Sequence, residues 1–203
     1  MDSNKILTIK RLKGELKNLA KNREAYYQVV QDKKDQLLFY FLLRGDNDSD
    51  YKGGYYIGKI VLPDTFPTKP GDFYMLTPSG RFKTDSKICL TNTGYHSDMW
   101  TPMWNIKTLV ISFVSVFLSD DTTGISHIKS SSNDRKQLAR GSMNYNMSYH
   151  RDICMLFDQF MTPQGDVRTD LEVEKYLEDI ELKRKQKKEK HGNSDKKKRN
   201  KNC

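Results

Sequence analysis

Long apolar runs are scarce in this sequence of 203 residues. The longest candidates are Leu37–Leu43 and residues 109–118, and both fall short of the roughly 20 residues that a membrane-spanning helix needs. The first ten residues, MDSNKILTIK, carry charge and lack the apolar run of a signal peptide. We therefore expect a protein that is neither secreted nor membrane-spanning.

Cysteines are equally scarce, and the sequence shows no internal repeat. The three cysteines are Cys89, Cys154 and Cys203. An odd and sparse set argues against a disulfide framework and favours a reducing compartment. Aromatic residues, at 11%, and hydrophobic residues, at 36%, are sufficient for a packed core.

Positive charge is concentrated at one end of the chain. The formal net charge is +9, from 35 Lys and Arg against 26 Asp and Glu. Residues 181–203 hold eleven of these basic residues and three of the acidic ones, so residues 1–180 are nearly neutral. The excess of positive charge therefore belongs to a basic tail. It does not indicate that the rest of the chain is a nucleic-acid-binding domain.

Apolar spacing predicts an α+β domain. Residues 3–21 place apolar side chains at steps of three and four, which is the period of one helical face. Four β-rich runs follow, separated by turn clusters and by a proline-rich segment. These predicted strands are Tyr26–Val30, Leu37–Leu43, Tyr55–Leu62 and Phe73–Leu76. Sequential strands with short connections favour an antiparallel meander.

Helical patterns dominate the second half. Asn105 is a suitable cap for a strongly apolar helix over Ile106–Leu118, which we expect to be central. Helical spacing continues over residues 133–160. Residues 167–190 run acidic and then basic, as in an exposed helix, and residues 191–203 have the composition of a disordered tail.

Cys89 lies in a long segment, residues 77–104, that has no clear period. Long irregular segments inside a compact domain are often functional. A cysteine is a natural acyl carrier, because a thioester forms readily and is readily attacked by an amine. The alternative is a buried structural thiol. A metal site of Cys89, His96 and Asp98 is disfavoured because no CxxC pair accompanies it, and no protease signature surrounds the cysteine.

Five ordered motifs stand out between residues 53 and 102. They are Gly53-Gly54-Tyr55-Tyr56-Ile57-Gly58-Lys59-Ile60, Leu62-Pro63 with Phe66-Pro67-Thr68-Lys69-Pro70, Thr77-Pro78-Ser79-Gly80-Arg81-Phe82, Ile88-Cys89-Leu90, and Trp100-Thr101-Pro102. In this order and spacing they resemble the ubiquitin-conjugating enzyme family over roughly residues 3–160. The branch they resemble most is the tail-anchored enzymes of ER-associated degradation. Those enzymes share a TPNGRF-like motif and a longer insert between cysteine and tryptophan, here residues 91–99.

The resemblance implies an α+β fold with an N-terminal helix, a four-stranded antiparallel meander, a catalytic loop, a central helix and C-terminal helices. Together with the charge pattern, it predicts a catalytic core at 1–162, a charged helical extension at 163–190 and a basic disordered tail at 191–203. Cys89 would accept ubiquitin from the activating enzyme as a thioester and pass it to a lysine, or to a Ser or Thr hydroxyl, of a protein substrate. No cofactor or metal is implied, because ATP is used by the activating enzyme.

Three residues are candidates for supporting catalysis. Ser79 stands where the family carries an asparagine that supports transfer, and its hydroxyl offers a shorter reach and one donor. A turn residue is the equal alternative for Ser79. The family's acidic gate aligns near Gly124, which is not an acid, so His96 and Asp98 are candidate bases. A hydrogen-bonded loop histidine is the alternative for His96.

The resemblance also implies partner surfaces. Lys10, Arg11 and Lys13 on the first helix correspond to the patch that meets the activating enzyme. RING-type ligases grip that helix and two loops, which are here Phe66-Pro67-Thr68 and Thr101-Pro102-Met103. Core packing is the better expectation for Trp100.

The basic tail departs from the relatives, which end in a membrane anchor. We expect a soluble chain located in the cytoplasm, or in the nucleus if the basic clusters act as an import signal. Nucleic acid or another acidic surface would be bound only through this tail. The alternatives to a ubiquitin-conjugating enzyme are an inactive binding module of the same fold, a conjugating enzyme for a ubiquitin-like modifier, and an RNA-associated protein.

Overall fold

The computed structural model describes residues 3–88, 100–119 and 124–199. It separates into two compact units, residues 1–157 and 158–203. The boundary lies close to the position 162/163 expected from the sequence. The three-part division of the chain stays a prediction.

The first unit begins with helix α1, Ser3–Lys21, as predicted. Its apolar stripe is only partly covered. Leu12 is 4% exposed, whereas Ile6 is 52% exposed and Leu16 is 36% exposed. The helix is therefore anchored through Leu12 and the buried Thr8, while Ile6 and Leu16 remain exposed.

A meander of antiparallel strands follows, in the spatial order β1-β2-β3-β4-β5. The described strands are β1 Tyr27–Gln31, β2 Leu38–Arg44, β3 Tyr55–Val61, β4 Asp72–Met75 and β5 Lys87–Ile88. The first four match the predicted strands to within one or two residues. The fifth was not predicted, because two residues are too few to show an alternating pattern.

Helix α2, Ile106–Leu118, packs its apolar face on this sheet. The Phe113 ring lies 5.3 Å from the rings of both Phe41 and Phe73, centroid to centroid. All three side chains are fully buried. Helix α2 is therefore central, as expected.

The N-terminus of α2 is capped from two sides. The Asn105 side chain accepts a hydrogen bond from Thr108 N, and the Thr108 hydroxyl accepts one from Asn105 N, which forms a capping box. Glu15 of α1, 3% exposed, also accepts a hydrogen bond from Ile106 N at 2.9 Å. The predicted cap at Asn105 is confirmed. The additional hydrogen bond from Ile106 N to Glu15 could not be predicted from the sequence, because Glu15 lies on a different helix.

The last helices of the first unit are α3, Ser132–Tyr149, and the short α4, Arg151–Cys154. The sequence predicted helical structure as far as residue 160. His150 interrupts it, because its backbone (φ −136°, ψ 33°) lies outside the helical region. No glycine or proline marks this break in the sequence.

The second unit contains helix α5, Asp170–Arg199. Thr169 and Glu172 exchange hydrogen bonds at its start, which is a capping box. The helix extends through most of the segment expected to be disordered. Its charge order explains this difference, because acids near the N-terminus and bases near the C-terminus both favour the helix dipole.

Among the helices that the structure describes, none combines the length and the apolar character needed to cross a membrane.

Candidate active site

The segment from Thr77 to Ile88 leads into Cys89. Its last two residues form β5, where Ile88 pairs with Phe73 of β4. Ile88 is fully buried, so the chain is anchored to the sheet one residue before the cysteine. Cys89 itself, with His96 and Asp98, lies outside the described residues.

Ser79 is fully buried in the turn that opens this segment. Its hydroxyl oxygen accepts a hydrogen bond from Arg81 N at 3.2 Å. Within the described part of the chain, that is its only hydrogen bond. The hydroxyl proton is therefore not committed to another described group. Ser79 therefore has the geometry of a turn residue.

Gly80 follows Ser79 in the left-handed region, with φ +73°. A β-carbon at this position would lie 2.6 Å from the Ser130 hydroxyl oxygen. That hydroxyl donates to the Gly80 carbonyl at 2.7 Å. Glycine is thus required here both by the backbone conformation and by the close approach of Ser130.

Arg81 ties the turn to the central helix. Its side chain is buried, and one guanidinium nitrogen donates to the Val116 carbonyl of α2 at 3.2 Å. The other terminal nitrogen lies 3.4 Å from Nδ1 of His127. The His127 ring in turn packs edge-on against Phe82, with centroids 4.8 Å apart. Sequence reasoning singled out neither Arg81 nor His127 for this role.

Residues 126–128 run alongside the segment that enters Cys89. The Ser126 hydroxyl donates to the Lys87 carbonyl at 2.7 Å, and the Ser126 carbonyl accepts from Lys83 N at 2.7 Å. Ile128 N donates to the Arg81 carbonyl at 2.9 Å. Residues just beyond the aligned position of the acidic gate therefore brace the approach to the cysteine.

Cys154 is the one cysteine among the described residues. It is fully buried, and burial raises the pKa of its thiol to about 11. At neutral pH the thiol is therefore protonated and a poor nucleophile. Within the described ranges, no cluster of three or more His, Cys, Asp or Glu side chains has the geometry of a metal site.

Comparisons with known proteins identify the family. The family model described as ubiquitin-conjugating enzyme matches residues 11–141. The chain belongs to the ubiquitin-conjugating enzyme family.

Individual relatives support this assignment. Ubiquitin-conjugating enzyme E2 J2 of Mus musculus is 34% identical over 149 residues, which are 73% of this chain and 57% of that protein. Ubiquitin-conjugating enzyme E2 6 of Candida glabrata is 34% identical over 137 residues, 68% of this chain and 55% of that protein. The chain thus spans a little over half the length of these relatives.

A solved structure shows the same fold. The crystal structure of a proposed ubiquitin conjugating enzyme from Plasmodium yoelii matches with a TM-score of 0.50 at 16% identity. The match covers 75% of this chain and 89% of that chain. The α+β fold of a ubiquitin-conjugating enzyme, expected from the motifs, is confirmed.

The residues of the predicted partner patch on α1 differ in their exposure and in their contacts. Lys10 and Lys13 are exposed. Arg11 is instead bound internally, because its guanidinium donates to the carbonyls of Pro102 and Trp104 at 2.9 and 2.6 Å. Its Nε also donates to Glu15 at 2.6 Å. Arg11 therefore joins α1 to the loop before α2.

The two predicted ligase loops differ in exposure. In the first loop, Phe66 and Pro67 are buried and only Thr68 is exposed. The Trp100 indole donates to the Pro67 carbonyl at 2.9 Å, and its ring packs against the core. In the second loop, Thr101, Pro102 and Met103 are all exposed, Met103 by 86%. The core packing expected of Trp100 is confirmed.

Proposed function

We propose that this chain is a ubiquitin-conjugating transferase whose acyl carrier is Cys89. The Cys89 thiolate attacks the C-terminal carbonyl of ubiquitin and displaces the sulfur of the activating enzyme. A neutral lysine amine of a protein substrate then attacks the new thioester. An isopeptide bond forms, the bond to Cys89 breaks, and the amine proton passes to a base or to water.

The observation that carries this proposal is the match of residues 11–141 to the family, which includes the Ile88-Cys89-Leu90 frame. The structure supports it in two ways. Strand β5 delivers the chain to Cys89 from a buried anchor at Ile88. Cys154 is excluded as the carrier because its thiol is fully buried and protonated at neutral pH.

Ser79 would support the transfer as a hydrogen-bond donor. Negative charge develops on the thioester carbonyl oxygen during attack, and a preorganised donor stabilises it. The Ser79 hydroxyl is oriented by its bond from Arg81 N and retains one proton for this purpose. His96 and Asp98 remain candidates for the base that accepts the amine proton, on the strength of their place in the sequence.

The exposed parts of the predicted partner surfaces define where the other enzymes would bind. Lys10 and Lys13 would meet the activating enzyme, together with the exposed apolar residues Ile6 and Leu7 of the same helix. Met103 and its neighbours would meet a RING-type ligase. Arg11, Phe66 and Pro67 would support these surfaces without contacting a partner. Arg11 is bound to loop carbonyls, and Phe66 and Pro67 are buried.

The basic half of α5 would give the chain a second kind of partner. Residues 183–199 hold ten Lys and Arg and no residue with a large apolar side chain. A surface of this kind attracts polyanions such as nucleic acid by charge alone. Such a chain would work in the cytoplasm, or in the nucleus if these clusters direct import.

A charging assay tests the proposal. The chain is mixed with activating enzyme, ATP and ubiquitin and run on a gel without reductant, beside Cys89→Ala and Cys154→Ala. We expect a slower band that reductant removes, that Cys89→Ala lacks and that Cys154→Ala retains. No band with ubiquitin, but a band with a ubiquitin-like modifier, would reassign the modifier. No band with any modifier would overturn the proposal in favour of an inactive binding module.

A further inference from the structure

A buried polar cluster joins α3 to the segment that carries Ser79. We call it the Thr77 bracket, and it consists of Thr77, Ser142, Asn146 and the first residues of β3. Thr77 and Asn146 are fully buried, and Ser142 is 2% exposed. A buried polar group without a hydrogen bond costs free energy. The hydrogen bonds of these residues therefore fix their position and that of their partners.

Thr77 is at the centre of the bracket. Its hydroxyl donates to Asn146 Oδ1 at 2.5 Å and accepts from Ile57 N at 2.8 Å. The backbone N–H groups of Leu76 and Thr77 both donate to the Ile57 carbonyl, at 2.9 and 3.1 Å. Backbone and side chain of Thr77 are thus both bound to Ile57 of β3.

Asn146 of α3 binds both Thr77 and the start of β3. Its Nδ2 donates to the Tyr55 carbonyl at 2.8 Å while its Oδ1 accepts from Thr77. Ser142, one helical turn earlier, accepts from Tyr55 N at 2.8 Å. A side-chain amide carries its donor and its acceptor on separate atoms, so it can bridge two groups at once. Asn146 therefore links Thr77 to β3 and to α3 simultaneously.

We propose that Asn146 is a positioning residue for acyl transfer. Through Thr77, it fixes the backbone that presents Ser79 to the acyl group on Cys89. This inference rests on the proposed function. The Ser79 hydroxyl is a short donor on a turn, so it has little freedom to adjust if the turn moves. A donor works in catalysis only when it is already in place, and displacements of about 1 Å can cost on the order of 100-fold in rate.

Single-turnover kinetics separates positioning from folding. The variants are Asn146→Asp, which removes the amide donor, and Thr77→Val, which removes the hydroxyl at nearly constant volume. Thr77→Ser keeps the hydroxyl, and Asn144→Asp is a matched control at an exposed position of the same helix. Thioester formation and discharge to free lysine are measured separately, below the melting temperature of each variant.

We expect Asn146→Asp and Thr77→Val to slow discharge about tenfold and to change thioester formation by less than about twofold. Thr77→Ser and Asn144→Asp should behave like wild type. In a Ser79→Ala background, neither Asn146→Asp nor Thr77→Val should slow discharge further, because the donor that the bracket positions is already gone.

Two results would overturn the inference alone. One is an equal loss of thioester formation and discharge that tracks the loss of melting temperature, which is the signature of a purely structural role. The other is a full additional loss of discharge in the Ser79→Ala background. If Asn146→Asp does not fold, the milder Thr77→Val decides. A wild-type chain that forms no thioester overturns the proposed function, and the inference falls with it.

Discussion

The family resemblance assigns a function both to the turn before Cys89 and to the exposed face of α1, but the two regions differ in the exposure of their side chains. In the turn, Thr77, Ser79 and Arg81 are buried, and the side chains of Thr77 and Arg81 are bound to α3 and α2. On α1, Lys10 and Lys13 extend into solvent. A substitution in the first region should therefore change the rate of transfer, and one in the second should change how tightly a partner binds.

Arg11 and Lys10 are neighbours in the sequence but fall on opposite sides of this comparison. Arg11 is engaged with two loop carbonyls and Glu15, whereas Lys10 is exposed. Charge alone would have grouped them. What separates them is whether the folded chain offers the side chain an internal partner.

Removing the Ser79 hydroxyl should have the largest effect. Ser79→Ala is expected to slow thioester discharge to free lysine by about 100-fold, because a single oxyanion donor is worth that much. Single-turnover discharge, with Ser148→Ala as the exposed serine control, measures it. An unchanged discharge rate would mean that Ser79 acts only as a turn residue.

Arg11→Ala should lower the free energy of unfolding by about 2 kcal/mol, because hydrogen bonds from a charged group are lost and the buried Glu15 loses its ion-pair partner. Urea unfolding measures this loss. Lys10→Ala is the matched control and should leave unfolding unchanged while it slows charging by the activating enzyme. If Lys10→Ala destabilised the chain as much as Arg11→Ala, the distinction between the two residues would fail.

Met103→Ala should have the smallest effect, and it should change only the affinity for a partner. The side chain is 86% exposed, so its removal should not alter the unfolding free energy. We expect binding to a RING-type ligase to weaken about fivefold, which corresponds to about 1 kcal/mol. Titration against a ligase measures the change, with Ser148→Ala as the exposed control outside the predicted ligase loops. Equal binding of wild type and Met103→Ala would remove this loop from the ligase surface.

Much of the fold could be predicted because its signals are local. The bounds of α1 and α2 follow from apolar spacing, and the Asn105 cap from a residue next to the helix it caps. Strand β5 and the break at His150 could not be predicted, since two residues carry no period and His150 is no helix breaker. Helix α5 continued past its expected end because its charges favour the helix dipole.

In the candidate site, the contacts that the sequence could not predict are those between residues far apart in the chain. Cys89 and the motif around Ser79 were found by their order along the chain. The partner of Thr77 lies 69 residues away on α3, and the Trp104 carbonyl bound by Arg11 lies 93 residues away. No pattern in a short window can reveal such pairs.

By itself, the sequence determined the family, the α+β architecture and the cysteine to which the proposed chemistry belongs, because motifs and periodicity are properties of neighbouring residues. Only the tertiary structure decided that Arg11 binds loop carbonyls, that Phe66 is buried, that Cys154 is a protonated core thiol, and that Asn146 binds the turn of Ser79 through Thr77. Each of these depends on which distant element packs against a side chain. That packing sets whether a polar group meets water or another part of the chain.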